Sequence, residues 1–294
     1  MARTPGEPFP HGRTFHHSRF SAERVAGERR ASVSVCLPAK ECARTVGPIV
    51  GRLLELKQAG VLDEVVVVDA GSRDGTAALA SGAGATVRQE AELLPRHGPV
   101  LGKGDAMWRA LSVLEGDVVC FLDADTEDFQ PHFATALIGA VCCEPDAEFA
   151  KGFYRRPGPG GAGSPDPDGG GRVNRLMARP LLAEFFPALG WVRQPLAGEV
   201  AARRELLERL PFATGYGVEI AMLIDAWSEV GSERIVQVDL EEHRHGHQGL
   251  DALESMAHTI LATVARRLQT EGRLADEPSG APPERPPLAS VALV

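Results

Sequence analysis

Asp117-Val118-Val119-Cys120-Phe121-Leu122-Asp123-Ala124-Asp125 is the stretch that decides the fold. Its apolar run is strand-sized and uninterrupted, the mark of a strand buried on both faces, and two carboxylates stand where that strand would end. The same grammar repeats upstream. A strand Ser32–Leu37 runs into Pro38-Ala39-Lys40-Glu41, and a helix follows over about 45–59. A strand Val65–Asp69 runs into Ala70-Gly71-Ser72-Arg73-Asp74-Gly75-Thr76, with Asp74 expected as the N-cap of the next helix. Ala85–Arg88 is a further strand, and a helix over 104–114 precedes the quoted stretch. Alternation of this kind predicts a mostly parallel, Rossmann-like α/β sheet with right-handed crossovers. Ligands of such sheets gather outside the carboxyl ends of the strands, so Pro38, Asp69 and Asp123 are expected to open onto one crevice.

Beyond the Gly-, Pro- and Asp-rich stretch 157–171 the pattern is mixed: helices over 173–186, 201–209, 218–230 and 250–268, and a strand Ile235–Leu240. Residues 1–30 read as a flexible arm and 272–294 as a disordered tail rich in Pro, Glu and Gly. The 294 residues, 44% hydrophobic, suffice for a large core, and the net charge of -9 argues against nucleic-acid and anionic-membrane partners. No apolar run approaches the ~20 residues of a membrane span, and the N-terminal 30 residues lack a signal-peptide core. A cytoplasmic location is expected. Five cysteines (36, 42, 120, 142, 143) without zinc-ligand spacing read as reduced thiols.

Asp123 and Asp125 are close enough to serve one hard divalent cation, Mg2+ or Mn2+, which would bridge diphosphate oxygens; a solvated acidic turn explains the same residues. The loops after the first two strands offer the small and hydrogen-bonding groups that a base and ribose need. Gly102-Lys103-Gly104 sets backbone N–H groups and a cation at a helix start, suited to phosphate or equally to a surface turn. Gly171-Arg172-Val173-Asn174 has the same character. Gln194-Pro195-Leu196-Ala197-Gly198-Glu199 and Thr214-Gly215-Tyr216-Gly217-Val218-Glu219 each lead toward a helix, where Glu219 alone would be an ordinary exposed first-turn residue. His243, His245 and His247 alternate, so extended backbone would point them one way, toward a metal or a phosphate.

Taken in order, Leu-Pro-Ala-x-Glu, Asp-x-Gly-Ser-x-Asp-Gly-Thr, Gly-Lys-Gly-Asp-Ala-x-Trp, Asp-x-Asp, Phe153-Tyr154-Arg155-Arg156, Gly-Gly-Arg-Val, Gln-Pro-Leu-x-Gly-Glu and Gly-Tyr-Gly-Val-Glu-Ile resemble the actinobacterial glucosyl-3-phosphoglycerate synthases, over about 33–268. The resemblance implies a GT-A fold and transfer of glucose from UDP-glucose to the 2-hydroxyl of 3-phosphoglycerate, with retention. It divides the chain into a nucleotide-sugar-binding part over 31–156 and an acceptor-binding part with a C-terminal helix over 157–271. It assigns Pro38, Ala39, Glu41 and Ser72 to the nucleoside and Lys103 to the diphosphate. Asp125 and His245 become metal ligands with Asp123 beside them, Asp123 and Ala124 join the nucleotide-sugar residues, and Asp123, Leu196 and Glu219 are the expected catalytic residues. Glu219 is assigned to the donor sugar, and Gly171, Arg172, Asn174, Tyr216, His243 and His247 to the acceptor region.

Asn174 stands where mycobacterial members are expected to have Thr, and His243 and His247 where they have Arg and Asn, so the acceptor side departs most. With no obvious carboxylate nucleophile, front-face attack is expected, the diphosphate oxygen taking the acceptor proton and the Leu196 carbonyl steadying charge at the anomeric carbon. Transfer of mannose from GDP-mannose is the alternative, and a non-catalytic nucleotide-sugar-binding protein the alternative of another class. The family and an apolar stripe over 250–268 also suggest a homodimer, although plain core packing explains such a stripe.

Overall fold

Successive side chains of β2 (Val33–Ala39), β3 (Glu64–Asp69) and β5 (Val118–Phe121) point to opposite faces, and both faces are covered. Val35, Leu37, Val65, Val67 and Cys120 enter one core, while Cys36, Val66, Val68, Val119 and Phe121 enter the other. The computed structural model describes residues 13–155, 171–242 and 249–274. Its remaining strands are β1 (Arg13–His16), β4 (Thr86–Gln89), β6 (Phe149–Arg155), β7 (Val200–Arg203) and β8 (Ile235–Glu242). All eight form one sheet in the order β1-β8-β6-β7-β5-β2-β3-β4, in which β7 alone runs antiparallel to its neighbours. The sheet therefore continues through both halves of the chain.

The first face carries α1 (Ala22–Glu28), α2 (Val46–Gln58), α3 (Thr76–Gly82) and α5 (Pro131–Cys142). In α2, Val46, Ile49, Val50, Leu53 and Leu56 form the buried stripe. The second face carries α4 (Lys103–Ala110), α6 (Arg179–Phe185), α7 (Arg204–Arg209), α8 (Val218–Val230) and α9 (Leu250–Thr270). The α9 stripe of Ile260, Val264 and Leu268 packs into that core, as plain core packing requires. No described helix is long and apolar enough to cross a membrane.

Three expectations are corrected. Residues 13–30 are not a loose arm: β1 pairs with β8, and Arg19 grips Glu144 through two bonds of 2.7 and 3.1 Å. Phe20 lies so close to Gly139 of α5 that a β-carbon there would overlap its ring, so this segment is the cover that lets α5 be apolar all round. The helix expected over 201–209 begins only at Arg204, because the small residues Ala201 and Ala202 continue β7 between β5 and β6. Asp74 does not occupy the cap position of α3, which belongs to the left-handed Gly75; its carboxylate accepts from the Thr76 N–H (3.0 Å) one step upstream.

Arg109 is buried and pairs with Asp105 (2.9 Å), while its other N–H groups donate to the carbonyls of Leu93, Leu94 and Gly98. Removing the guanidinium leaves Asp105 as an uncompensated buried charge. Arg109→Met is expected to cost about 3–5 kcal/mol, read from the urea midpoint at constant m-value.

Candidate active site

The carboxyl ends of β2, β3 and β5 and the start of α4 converge as expected, and the loops are tied together before any ligand arrives. Glu41, at a left-handed φ of 53°, donates its N–H to Ser72 Oγ (2.9 Å) and accepts the Arg73 N–H on Oε1 (2.9 Å). Asp74 accepts from the Ala43 N–H (2.9 Å), and Thr76 Oγ1 from the Cys42 N–H (2.8 Å). The Thr76 hydroxyl, donating to Asp74 Oδ1 (2.6 Å), and then the Ala43 amide hold the Asp74 carboxyl below the usual range. Glu41 and Ser72 thus clasp the β2 and β3 loops around Pro38 and Ala39. Asp69, at the end of β3, is buried; Oδ2 accepts the Ser72 N–H (3.2 Å), and Oδ1 has no hydrogen-bond partner among the described residues.

Lys103 opens α4 behind Gly102, whose φ is 93°. Its Nζ donates to Asp123 Oδ1 at 2.5 Å and to Glu219 Oε1 at 2.9 Å. Desolvation alone would lower the Lys103 ammonium, but the two carboxylates outweigh it and hold it well above its ordinary range. The approach depends on glycine: a β-carbon at Gly104 would overlap the Ala213 carbonyl, so α4 can press against the turn that begins α8 and brings in Glu219. Glu219 is only 10% exposed, unlike the solvated first-turn residue its sequence position suggested.

On the other side of Asp123 lies the turn entering β7. A β-carbon at Gly198 would overlap the Asp123 carboxylate. The Leu196 N–H donates to Asn174 Oδ1 (2.9 Å), and the Ala197 carbonyl accepts from Lys151 Nζ (2.5 Å). Asn174 is buried in a π-helical turn, Asn174–Ala178, leading into α6. It holds the Leu196 turn, whereas Arg172 and Tyr216 are exposed and Gly171 takes a φ of 69°. Lys151 is buried; desolvation pulls its ammonium down to about 8, opposed by Glu219.

Asp125 is exposed just beyond, and Ala124 is buried with its carbonyl accepting from Thr45 Oγ1 (2.6 Å). Because Asp125 keeps an open face to water, the desolvation that raises its carboxyl is partial; the Asp123 charge pushes the same way. Asp123, Asp125 and Glu219 outnumber the ammonium groups of Lys103 and the buried Lys151, a surplus of carboxylate that a divalent cation complements. The donors are hard oxygens, which suits Mg2+ or Mn2+. His243, His245 and His247 lie outside the described residues.

Residues 34–167 match the family described as glycosyl transferase family 2. The chain is 40% identical over 268 residues to glucosyl-3-phosphoglycerate synthase of Petrotoga mobilis, covering 89% of this chain and 82% of that protein. The chain belongs to the glucosyl-3-phosphoglycerate synthase family. It is a glycosyltransferase with a GT-A fold. Its structure is similar to that of mannosyl-3-phosphoglycerate synthase from Rubrobacter xylanophilus (TM-score 0.83, 44% identity, 90% and 84% of the two chains). It is also similar to glucosyl-3-phosphoglycerate synthase from Mycobacterium tuberculosis in complex with Mn2+, UDP-glucose and phosphoglyceric acid (TM-score 0.80, 38% identity, 89% of each chain).

The sequence did not single out Lys151 or Glu90, and it marked Gln194 only as the first residue of a loop motif. Gln194 clamps β6 at Tyr154, accepting its N–H (3.1 Å) and donating to its carbonyl. Glu90 follows β4, buried, with both oxygens lacking hydrogen bonds among the described residues. Only a lysine inside an apolar strand (Phe149-Ala150-Lys151-Gly152-Phe153) gave any warning. A cavity of about 690 Å³ lies elsewhere, at the amino ends of β5 and β6 between Asp117, Glu148, Arg203 and Arg209.

Two outcomes are expected. Gly198→Ala displaces Asp123 and is expected to lower turnover roughly a hundredfold in initial-rate assays, with cooperative thermal unfolding retained. Burial, then the Asp105 charge, raises the Glu90 carboxyl from 4.5 to about 7, against Arg109 and Lys40. Between those values the native chain keeps a proton the unfolded chain has lost, so this group's stabilisation is full below pH 4.5 and lost as pH rises through 7. Glu90→Gln should therefore raise Tm relative to the parent more at pH 8 than at pH 5, by scanning calorimetry.

Proposed function

We propose that the chain transfers glucose from UDP-glucose to the 2-hydroxyl of 3-phosphoglycerate, retaining the anomeric configuration. The observation that carries this is the Lys103 bridge between Asp123 and Glu219 at the strand ends, beside the clasped β2 and β3 loops, in a member of this family. Pro38, Ala39, Glu41 and Ser72 would receive the nucleoside, and Lys103, already charged, the diphosphate. Asp125 and His245 would hold Mn2+ or Mg2+, with Asp123 beside them; when bound, the ion neutralises charge building on the departing diphosphate. Glu219, released from part of its ion pair, would accept hydrogen bonds from the sugar hydroxyls.

The bond that breaks joins the anomeric carbon to the diphosphate oxygen, and the one that forms joins that carbon to the acceptor oxygen. The acceptor proton passes to the departing diphosphate. Asn174 and Lys151 fix the Leu196–Gly198 turn from both sides, which supports a role for the Leu196 carbonyl in steadying charge at the anomeric carbon. Arg172, next to Gly171 in sequence, and Tyr216, both open to solvent, would meet the phosphoglycerate, with His243 and His247 completing that side. A cytoplasmic homodimer belongs to the same proposal: Leu250 and Leu261 are exposed on α9, and the five cysteines are free.

Mannosyl transfer is the second possibility, favoured by the 44% identity to the Rubrobacter xylanophilus enzyme. Purified protein with Mn2+ or Mg2+, offered UDP-glucose, GDP-glucose or GDP-mannose with and without 3-phosphoglycerate, should release UDP only when both UDP-glucose and acceptor are present. GDP release from GDP-mannose would reassign the donor, and release indifferent to acceptor would overturn the transfer. Asp125→Ala is expected to abolish turnover while the far-ultraviolet circular dichroism stays that of the parent.

A further inference from the structure

We infer a second metal site, for an ion of the Zn2+ class, built from His16, His17 and Glu241 where β1 ends beside β8. β1 runs parallel to β8 with His16 opposite Asp239, which brings the histidine pair alongside Glu241. His16 Nε2 is 3.5 Å and His17 Nε2 3.1 Å from Glu241 Oε1, and the three donor atoms lie within 4.8 Å of one another. A tetrahedral ion with bonds of about 2.0–2.1 Å sets its ligands roughly 3.4 Å apart, between the two separations observed. Two imidazoles and one carboxylate select a borderline transition ion over Mg2+ or Ca2+, which prefer oxygen throughout.

His17 Nε2 is shut off from solvent and turned to Glu241 Oε1 at 3.1 Å, so two of the three donors are already brought together. The surroundings are those of oriented ligands. The Ser18 N–H donates to His16 Nδ1 (3.3 Å), with Ser18 Oγ at 2.8 Å, and this turn fixes the ring with Nε2 facing Glu241. The His132 ring stacks on His17 at 4.1 Å and is fixed by the Leu240 carbonyl, 3.2 Å from its Nε2. Glu241 is held at a left-handed φ of 68°, with its N–H donating to Asp239 Oδ1 (2.9 Å). Such a conformation costs energy in a glutamate and persists where surroundings fix it.

The site is separate from the crevice centred on Asp123. β8 and β5 are separated by β6 and β7 in the sheet, three strand spacings or about 14 Å. An ion here clamps the N-terminal strand to β8 at the point where the chain passes into 243–248.

The test uses the full chain, stripped with EDTA and desalted, then titrated with Zn2+ (metal retained per chain, by mass spectrometry) and with Co2+ (visible absorption). The parent and Asp125→Ala should each retain a tightly held Zn2+, show the intense visible bands of tetrahedral Co2+, and gain a few degrees in Tm with Zn2+. His16→Asn and Glu241→Gln, at side chains 51% and 56% exposed, should fold, lose that equivalent and bands, and show no Zn2+-dependent rise in Tm. Retention of the bands and the equivalent in both variants, or their absence from Asp125→Ala, would overturn the site. Turnover of Asp125→Ala reports separately on the proposed catalytic ion.

Discussion

The Lys103 ammonium lies between two carboxylates that arrive from different parts of the chain, Asp123 from the exit of β5 and Glu219 from the first turn of α8. Holding it there loses hydration, and only the paired negative charges make the position favourable. The backbone must therefore come closer than side chains usually permit. Gly104 lets α4 meet the 213–215 turn, and Gly198 lets the entry to β7 touch Asp123. An ordinary residue at either place would push apart the elements whose approach makes the charge cluster. Because carboxylates outnumber ammonium groups here, the site stays negative, suited to added cationic charge at Asp125.

Preorganisation continues in the β2 and β3 loops, the side proposed for the nucleoside. The β2 and β3 loops are joined by four bonds, from Glu41 N–H to Ser72, Arg73 N–H to Glu41, Ala43 N–H to Asp74 and Cys42 N–H to Thr76. Glu41 takes a left-handed backbone conformation to make its two. A loop already held by such contacts loses less freedom on binding than one that must order itself.

Much of this was legible in the sequence because parallel strands are written as short apolar runs whose exits carry the polar residues. Pro38, Asp69 and Asp123 converge for that reason, and Lys103 follows from a glycine-flanked helix start. β6 escaped notice since Lys151 interrupts its apolar run, and that lysine is tolerable only because Ala197, 46 residues later, offers its carbonyl. β1 was read as part of an arm because four residues rich in charge and histidine carry no strand signal alone; pairing with β8 and the Phe15–Phe20 contact at 5.7 Å give them their place. Asn174 was grouped with the acceptor residues by resemblance, yet its side chain is already occupied by the Leu196 N–H.

The one antiparallel strand among the described residues explains how the second half of the chain reaches the proposed reaction centre. A parallel strand delivers only its downstream residues to the carboxyl edge of the sheet, and β2, β3 and β5 do so. Inserted in the opposite sense between β5 and β6, β7 delivers its upstream residues instead, with Val200 opposite both Phe121 and Lys151. Leu196, Ala197 and Gly198 are thereby carried to the Asp123 exit as backbone, their side chains being of secondary importance. The expected role of the Leu196 carbonyl needs that placement, and a helix-connected parallel strand in the place of β7 could not have supplied it. Reversal of β7 is thus the topological counterpart of Gly198: the one aims the turn at Asp123, and the other lets it arrive.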